Sequence, residues 1–199
     1  MESIHGRLQA LASELSEDPA IRVLEYSLTE PASSHDLEQG AETASEGLPQ
    51  GLVDLYAEVG SFHLEWEHIK VPDVRGAINI LPLAEVLGDW QGVTWFQGDE
   101  EFRPVLPFDK FTSEACAALI RGADGHILPT VAYHYFGEEL HHTDYSVEEY
   151  LDRLINARGY WYWQTTLCSD LTASTTASDF HRNMPLLFSD YDSSLFQPR

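Results

Sequence analysis

Apolar residues recur at helical spacing in three stretches of the chain. Ile4, Leu8, Leu11 and Leu15 are separated by four, three and four residues, which places them on one face of a helix. We expect this helix to end at Asp18, because the residue before a proline is disfavoured in helical conformation. The same spacing predicts two further helices, with inner faces formed by Leu52, Leu55, Tyr56 and Val59 and by Val147, Tyr150, Leu151, Leu154 and Ile155.

Other stretches alternate between apolar and polar residues, as half-buried strands do. Residues 61–69 place Phe62, Leu64 and Trp66 on one side and charged residues on the other. Further strands are predicted at 21–28, 77–81, 115–121 and 126–135, the last two joined by a turn at 122–125. Strands joined by short turns indicate an α+β fold, with a mainly antiparallel sheet and helices packed to one side.

The pattern predicts a single domain over residues 1–169, including the N-terminal helix. Residues 170–179 are rich in Thr, Ser and Ala and are interpreted as a linker. The last part of 170–199 is too apolar to be left in water, so we expect this tail to pack back on the domain.

The net charge limits the classes of partner that the chain is expected to bind. The chain has 33 acidic and 11 basic residues, which gives a formal net charge of −22. Such a surface repels nucleic acid and anionic membranes and attracts a basic protein. The alternative is that the acidity serves solubility alone.

The chain has features of a cytoplasmic protein. Its N-terminus has neither the basic nor the long apolar segment of a signal peptide, and no run of 18 apolar residues predicts a membrane span. Cys116 and Cys168 are the two cysteines, and we interpret them as reduced residues of the core rather than as a disulfide.

No motif commits the chain to catalysis. A phosphate-binding glycine loop and a nucleophile elbow are both absent from the sequence. The histidine-rich segment 134–144 could hold a metal through His134, Glu138, His141 and His142, but its spacing is not that of a helical zinc motif. A solvated polar connection is the favoured interpretation, so no enzyme activity, metal or cofactor is expected.

Three acidic patches are candidate protein-binding sites. Acidic residues around an exposed aromatic form a plausible recognition surface, because aromatic anchors contribute much of the energy of an interface. The alternative is that the aromatics are buried and the charges are merely solvated. The patches are Trp95 with Asp99, Glu100 and Glu101; Glu138, Glu139 and Asp144; and Glu65 with Glu67 on the outward face of a strand.

The order of short motifs resembles the SUKH superfamily, in particular the branch of the fungal cell-wall-assembly regulator and many bacterial toxin-immunity proteins. The resemblance extends over most of residues 20–165, and one departure is Val59-Gly60, where the family usually has Asn-Gly. The similar segments are 29–33, 47–56, 59–67, 80–83, 105–109 and 146–158.

The resemblance implies an α+β domain without catalytic residues. Bacterial members bind and block a cognate toxin, often a nuclease, which would make this chain an immunity protein for a basic toxin domain. The fungal branch implies the alternative of a regulatory or scaffold domain with an endogenous protein partner. The family's contact surfaces vary, so the candidate contact residues rest on the acidic patches alone.

Overall fold

Six α-helices and seven β-strands make up the computed structural model, which describes residues 3–44, 47–98 and 100–199. Two short 3-10 helices cover Trp163–Leu167 and Ser193–Leu195. The helices are α1 (Ile4–Glu17), α2 (Ser34–Thr43), α3 (Gln50–Glu58), α4 (Leu83–Val86), α5 (Val147–Asn156) and α6 (Thr175–Leu187). The strands are β1 (Ile21–Leu28), β2 (Phe62–His68), β3 (Arg75–Ile80), β4 (Val105–Asp109), β5 (Ala115–Ile120), β6 (Thr130–Tyr135) and β7 (Leu140–Ser146).

The seven strands form one sheet in the order of the chain, from β1 at one edge to β7 at the other. Every neighbouring pair is antiparallel, so the predicted α+β class with a mainly antiparallel sheet is confirmed. The alternation on β2 is also confirmed: Phe62, Leu64 and Trp66 are buried in the main core, and the residues between them are half-buried.

The sheet is nearly divided between β3 and β4, which share one pair of facing residues, Ile80 and Asp109. The segment after α5 enters the gap. The Ala77 amide donates to the Gly159 carbonyl at 2.8 Å, and the Trp161 amide donates to the Arg75 carbonyl at 3.1 Å. Gly159 has a φ of +64°, and a Cβ there would lie 2.4 Å from the Ile78 side chain, so only glycine fits this approach.

The helical faces predicted from spacing are correct. Leu8, Leu11 and Leu15 of α1 are buried, and the helix ends at the expected Asp18 cap. Helix α5 begins with a capping box, in which Ser146 accepts from the Glu149 amide and the Glu149 carboxylate accepts from the Ser146 amide.

Two segments differ from their predicted structure. Residues 134–144 are not a polar connection but the end of β6, a turn at Gly137 and the polar edge strand β7. The linker predicted at 170–179 is shorter, because Ser174 caps α6 by accepting from the Ala177 amide, which commits Thr175 onward to helix.

The C-terminal residues pack on the rest of the chain. Phe180, Met184, Phe188 and Phe196 are buried in the main core, whereas Leu186 is 80% exposed on the outer side of α6. Among the described residues, no helix is long and apolar enough to cross a membrane.

Candidate protein-binding surface

Two of the predicted acidic patches meet at one groove on the β4–β7 half of the sheet. Glu101 precedes β4 and Glu139 precedes β7, and both are exposed on the rim of the groove. We call this feature the acidic groove; its lining residues are Glu101, Phe102, Pro104, Val105, Ile120, Glu139 and Leu140.

The floor of the acidic groove is apolar because strand register brings small and aliphatic side chains to one face. Val105 on β4 pairs with Ile120 on β5. Cys116 lies two strand periods before Ile120, on the same face of β5, and pairs with His134 on β6. His134 in turn pairs with Leu140. An apolar floor under an acidic rim is the arrangement that favours a partner with both a basic and an apolar contact surface.

His134 lies beneath this floor and is fully buried. Its ring packs against Phe102, at a centroid distance of 4.5 Å, and against Phe136, at 5.5 Å. Neither ring nitrogen has a hydrogen-bond partner among the residues that the structure describes. Burial, and secondarily the charge of His141, lowers the pKa of His134 to about 4, so the ring is neutral at physiological pH.

The histidine-rich segment does not gather into the metal site considered from the sequence. His134 is sealed in the core, and His141 contacts Asp170 through Nδ1 at 2.6 Å while stacking on Tyr133. His142 is exposed on β7, and Glu138 is exposed in the turn before it. Antiparallel pairing separates these side chains, since residues that alternate along a strand point to opposite faces.

Trp95 was expected to be an exposed anchor, and that prediction is wrong. It is 8% exposed in the main core, and the Arg103 guanidinium lies 5.3 Å from its ring centroid. Arg103 also pairs with Glu100 at 3.3 Å, which partly neutralises that carboxylate. The exposed aromatic is the next residue, Phe96, at 59%. Sequence alone could not distinguish the two, because both aromatics adjoin the same acidic run.

The other predicted contact residues that the structure describes do not line the acidic groove. Asp99 lies outside the described residues. Asp144 is exposed on β7 with a φ of +59°, and its carbonyl accepts from Arg199 at 3.4 Å. Glu65 and Glu67 project from β2 near the opposite edge of the sheet, so the predicted contact residues that the structure describes form no single surface.

A group at that opposite edge has the side chains to hold a cation. Glu25 on β1 faces Glu65 on β2 in the strand register, and His63 lies two residues before Glu65. One ligand atom from each of the three side chains lies within 4.8 Å of the others. We call these residues the Glu–His–Glu group. His63 and Glu25 were missed in the sequence because no motif joins them; the period-two pairing of His63 with Glu65 was the available signal.

Glu67 differs from its neighbour Glu65 in its partner. Arg22 donates from Nε to the Glu67 carboxylate at 2.8 Å, so this charge is already paired across β1 and β2. Among the described residues, His63 is the one basic side chain within ion-pair distance of Glu25 or Glu65.

Other ionisable groups are held inside the core. Burial raises the pKa of the Cys116 thiol and raises that of Cys168 to about 12, so both are protonated thiols at neutral pH, and both are free. The Asp109 carboxylate accepts a hydrogen bond from the Asn79 backbone amide at 2.8 Å and another from the Tyr150 hydroxyl at 2.7 Å. Burial raises the pKa of Asp109 to about 6 despite these hydrogen bonds.

No family model, curated protein or solved structure matches the chain. The residues of the acidic groove and of the Glu–His–Glu group therefore provide the basis for the functional inferences below.

Proposed function

We propose that this chain is a cytoplasmic immunity protein that binds and blocks a basic toxin domain, with the acidic groove as part of its contact surface. The observation that carries the proposal is the acidic rim of Glu101 and Glu139 over an apolar floor, on a chain of net charge −22. The SUKH-like order of motifs supports the same role. The role requires no catalytic residue, cofactor, nucleic acid or membrane.

The charge suits a nuclease toxin in particular. A nuclease must present positive charge where it holds the phosphates of its substrate, and an acidic protein is attracted to that same surface. Rim charges such as Glu101 and Glu139 accelerate encounter and select the partner. The apolar floor, with the exposed Phe96 nearby in the chain, supplies contacts that salt does not screen.

Affinity purification with the untagged chain coupled to resin tests this proposal in lysate of the native cells. We expect a basic protein to be retained at low salt and partly retained at high salt, because the apolar contacts persist when charges are screened. The recovered protein should be toxic when expressed alone, and co-expression of this chain should restore growth. Recovery without toxicity would favour the alternative of a regulatory or scaffold domain.

Two matched double variants then test the groove itself. Glu101→Lys with Glu139→Lys reverses the rim, and Glu38→Lys with Glu42→Lys makes the same charge change on the exposed face of α2. We expect the rim variant to lower affinity for the recovered toxin by at least about tenfold, and the α2 variant by less than about threefold. Equal losses would mean that net charge alone drives association and that the groove is not the contact surface.

A further inference from the structure

We propose that the Glu–His–Glu group, formed by Glu25, His63 and Glu65, binds a divalent transition-metal ion of the zinc class. One imidazole nitrogen and two carboxylate oxygens are ligands that zinc accepts in proteins. The inference is independent of the immunity role, because the group lies on β1 and β2 and the acidic groove on β4–β7.

The two distances from the His63 nitrogen to the carboxylate oxygens match tetrahedral coordination. His63 Nε2 lies 3.5 Å from Glu25 Oε2 and 3.5 Å from Glu65 Oε1. Two ligands at zinc-bond lengths of about 2.1 Å, separated by the tetrahedral angle, lie about 3.4 Å apart. Octahedral coordination at the same bond length would bring neighbouring ligands to about 3.0 Å. The two nitrogen–oxygen distances are closer to the tetrahedral value, and the two carboxylate oxygens lie within 4.8 Å of each other, so we take the ion to be four-coordinate.

Charge-assisted hydrogen bonds explain this geometry less well than a bound cation does. Charge-assisted hydrogen bonds between nitrogen and carboxylate oxygen are about 2.7–2.9 Å long, well below the 3.5 Å found here. His63 Nε2 is buried and, within residues 3–44, 47–98 and 100–199, has no hydrogen-bond partner. A buried imidazole nitrogen that faces two carboxylates without a hydrogen bond is a group that a cation would satisfy.

Asn79 orients the ring for this role. The side-chain nitrogen of Asn79 donates to the Lys110 carbonyl at 3.2 Å. This hydrogen bond turns Asn79 Oδ1 toward His63 Nδ1, 3.3 Å away. Nδ1 is then the protonated nitrogen, and the lone pair of Nε2 points at the carboxylates. Ligating histidines in metal sites are commonly held by such a hydrogen bond from their second nitrogen.

Strand pairing fixes the backbone positions of the three residues in the group. A register shift at Leu24 aligns Glu25 opposite Glu65, while His63 and Glu65 share one face of β2 because they are two residues apart. Three protein ligands leave the fourth position of a tetrahedral ion for water or an incoming ligand. Two carboxylates also cancel the charge of a divalent cation.

Titration of untagged, metal-free protein with zinc sulfate tests the proposal by calorimetry, in excess magnesium to occupy diffuse acidic sites. We expect one zinc per chain. Cobalt titration should give the visible absorption of a four-coordinate ion, and binding should be lost by at least about tenfold in both His63→Gln and Glu25→Gln. Glu25 is exposed at the sheet edge, so Glu25→Gln decides the matter even if His63→Gln fails to fold.

Matched controls separate this site from general acidity. His142→Gln and Glu138→Gln change the same residue types at exposed positions on and beside β7, and both should bind zinc as the unaltered chain does. Asn79→Ala should weaken binding by about 10- to 100-fold through loss of the orienting hydrogen bond. The proposal is overturned if magnesium abolishes zinc binding, or if Glu25→Gln binds as tightly as the unaltered chain. Equal losses in the control variants would overturn it as well.

Discussion

His134 and His63 lie in the same sheet, yet their surroundings give them opposite chemistry. His134 is fully buried beneath Phe102 and Phe136, and no described residue forms a hydrogen bond with either ring nitrogen. His63 is 23% exposed, has Asn79 on one nitrogen and faces two carboxylates with the other. What the neighbouring strand presents to a histidine in this fold therefore decides whether the ring is enclosed in the core or faces acidic side chains.

The largest expected effect concerns the pH dependence of stability at His134. Its folded pKa of about 4 is below the unfolded value of about 6.5, so the unfolded chain binds the proton first as pH falls. This group therefore destabilises the fold as pH drops from about 6.5 to 4, by about 3 kcal/mol in total. Denaturant unfolding of the unaltered chain and of His134→Leu across this range measures the difference.

Asp109 has the opposite effect on folding stability as pH falls. The contribution of His134 must therefore be measured as a difference between the unaltered chain and His134→Leu. Its folded pKa of about 6 is above the unfolded value, so its protonation stabilises the fold as pH falls through 6 toward 4. His134→Leu leaves Asp109 in place, and the difference between the two proteins isolates the histidine. Parallel stability curves would show that His134 is not held neutral by its burial.

The next largest effect on stability is expected from zinc binding at His63. A ligand that binds the folded chain alone, at 100 times its dissociation constant, stabilises it by about 2.7 kcal/mol. For a chain of this size the midpoint of thermal unfolding should rise by about 5–10 °C. His63→Gln should show no rise, while His134→Leu should keep it, and a rise in both variants would remove the distinction between the two histidines.

A smaller effect on stability is expected when Phe102, which packs on the His134 ring, is truncated. Phe102 is partly buried, so Phe102→Ala should destabilise the fold by about 2 kcal/mol, less than for a fully buried phenylalanine. Water then reaches the ring, and the pKa of His134 should move up toward 6.5, as measured by the NMR titration of its ring proton. An unchanged pKa would mean that Phe136 and the sheet alone exclude water.

The smallest effect distinguishes Glu67 from Glu65. The Arg22–Glu67 pair is solvent-exposed, so Glu67→Gln should change stability by less than about 1 kcal/mol. Zinc affinity should stay within about twofold, because this carboxylate is not in the Glu–His–Glu group. Calorimetry on Glu67→Gln beside Glu65→Gln measures both, and equal losses of zinc binding would contradict the assigned ligand set.

Local pattern predicted much of the fold. The spacing of Leu8, Leu11 and Leu15 located α1, and the alternation in residues 61–69 located β2, because each periodicity belongs to one type of backbone. It failed at β7, an edge strand whose outward residues are polar, and at α6, whose first turn is rich in Thr and Ser. Those segments are stabilised by pairing and packing with distant residues rather than by their own composition.

The acidic surface was partly predictable as well. Composition determined the net charge and residue order the acidic runs, but burial decided which aromatic is exposed, Phe96 rather than Trp95. The meeting of Glu101 with Glu139 at one groove depended on β4 and β7 belonging to the same half of the sheet.

The net charge, the α+β class and the inner faces of α1, α3 and β2 could all be predicted before folding, since they depend on residue type and spacing along the chain. The tertiary structure alone decided the Glu–His–Glu group. Glu25 and His63 are far apart in sequence, and the register of β1 on β2 brings them together. Register is a property of two strands at once, with a shift of one residue reversing every side chain, so no periodicity within either strand contains it.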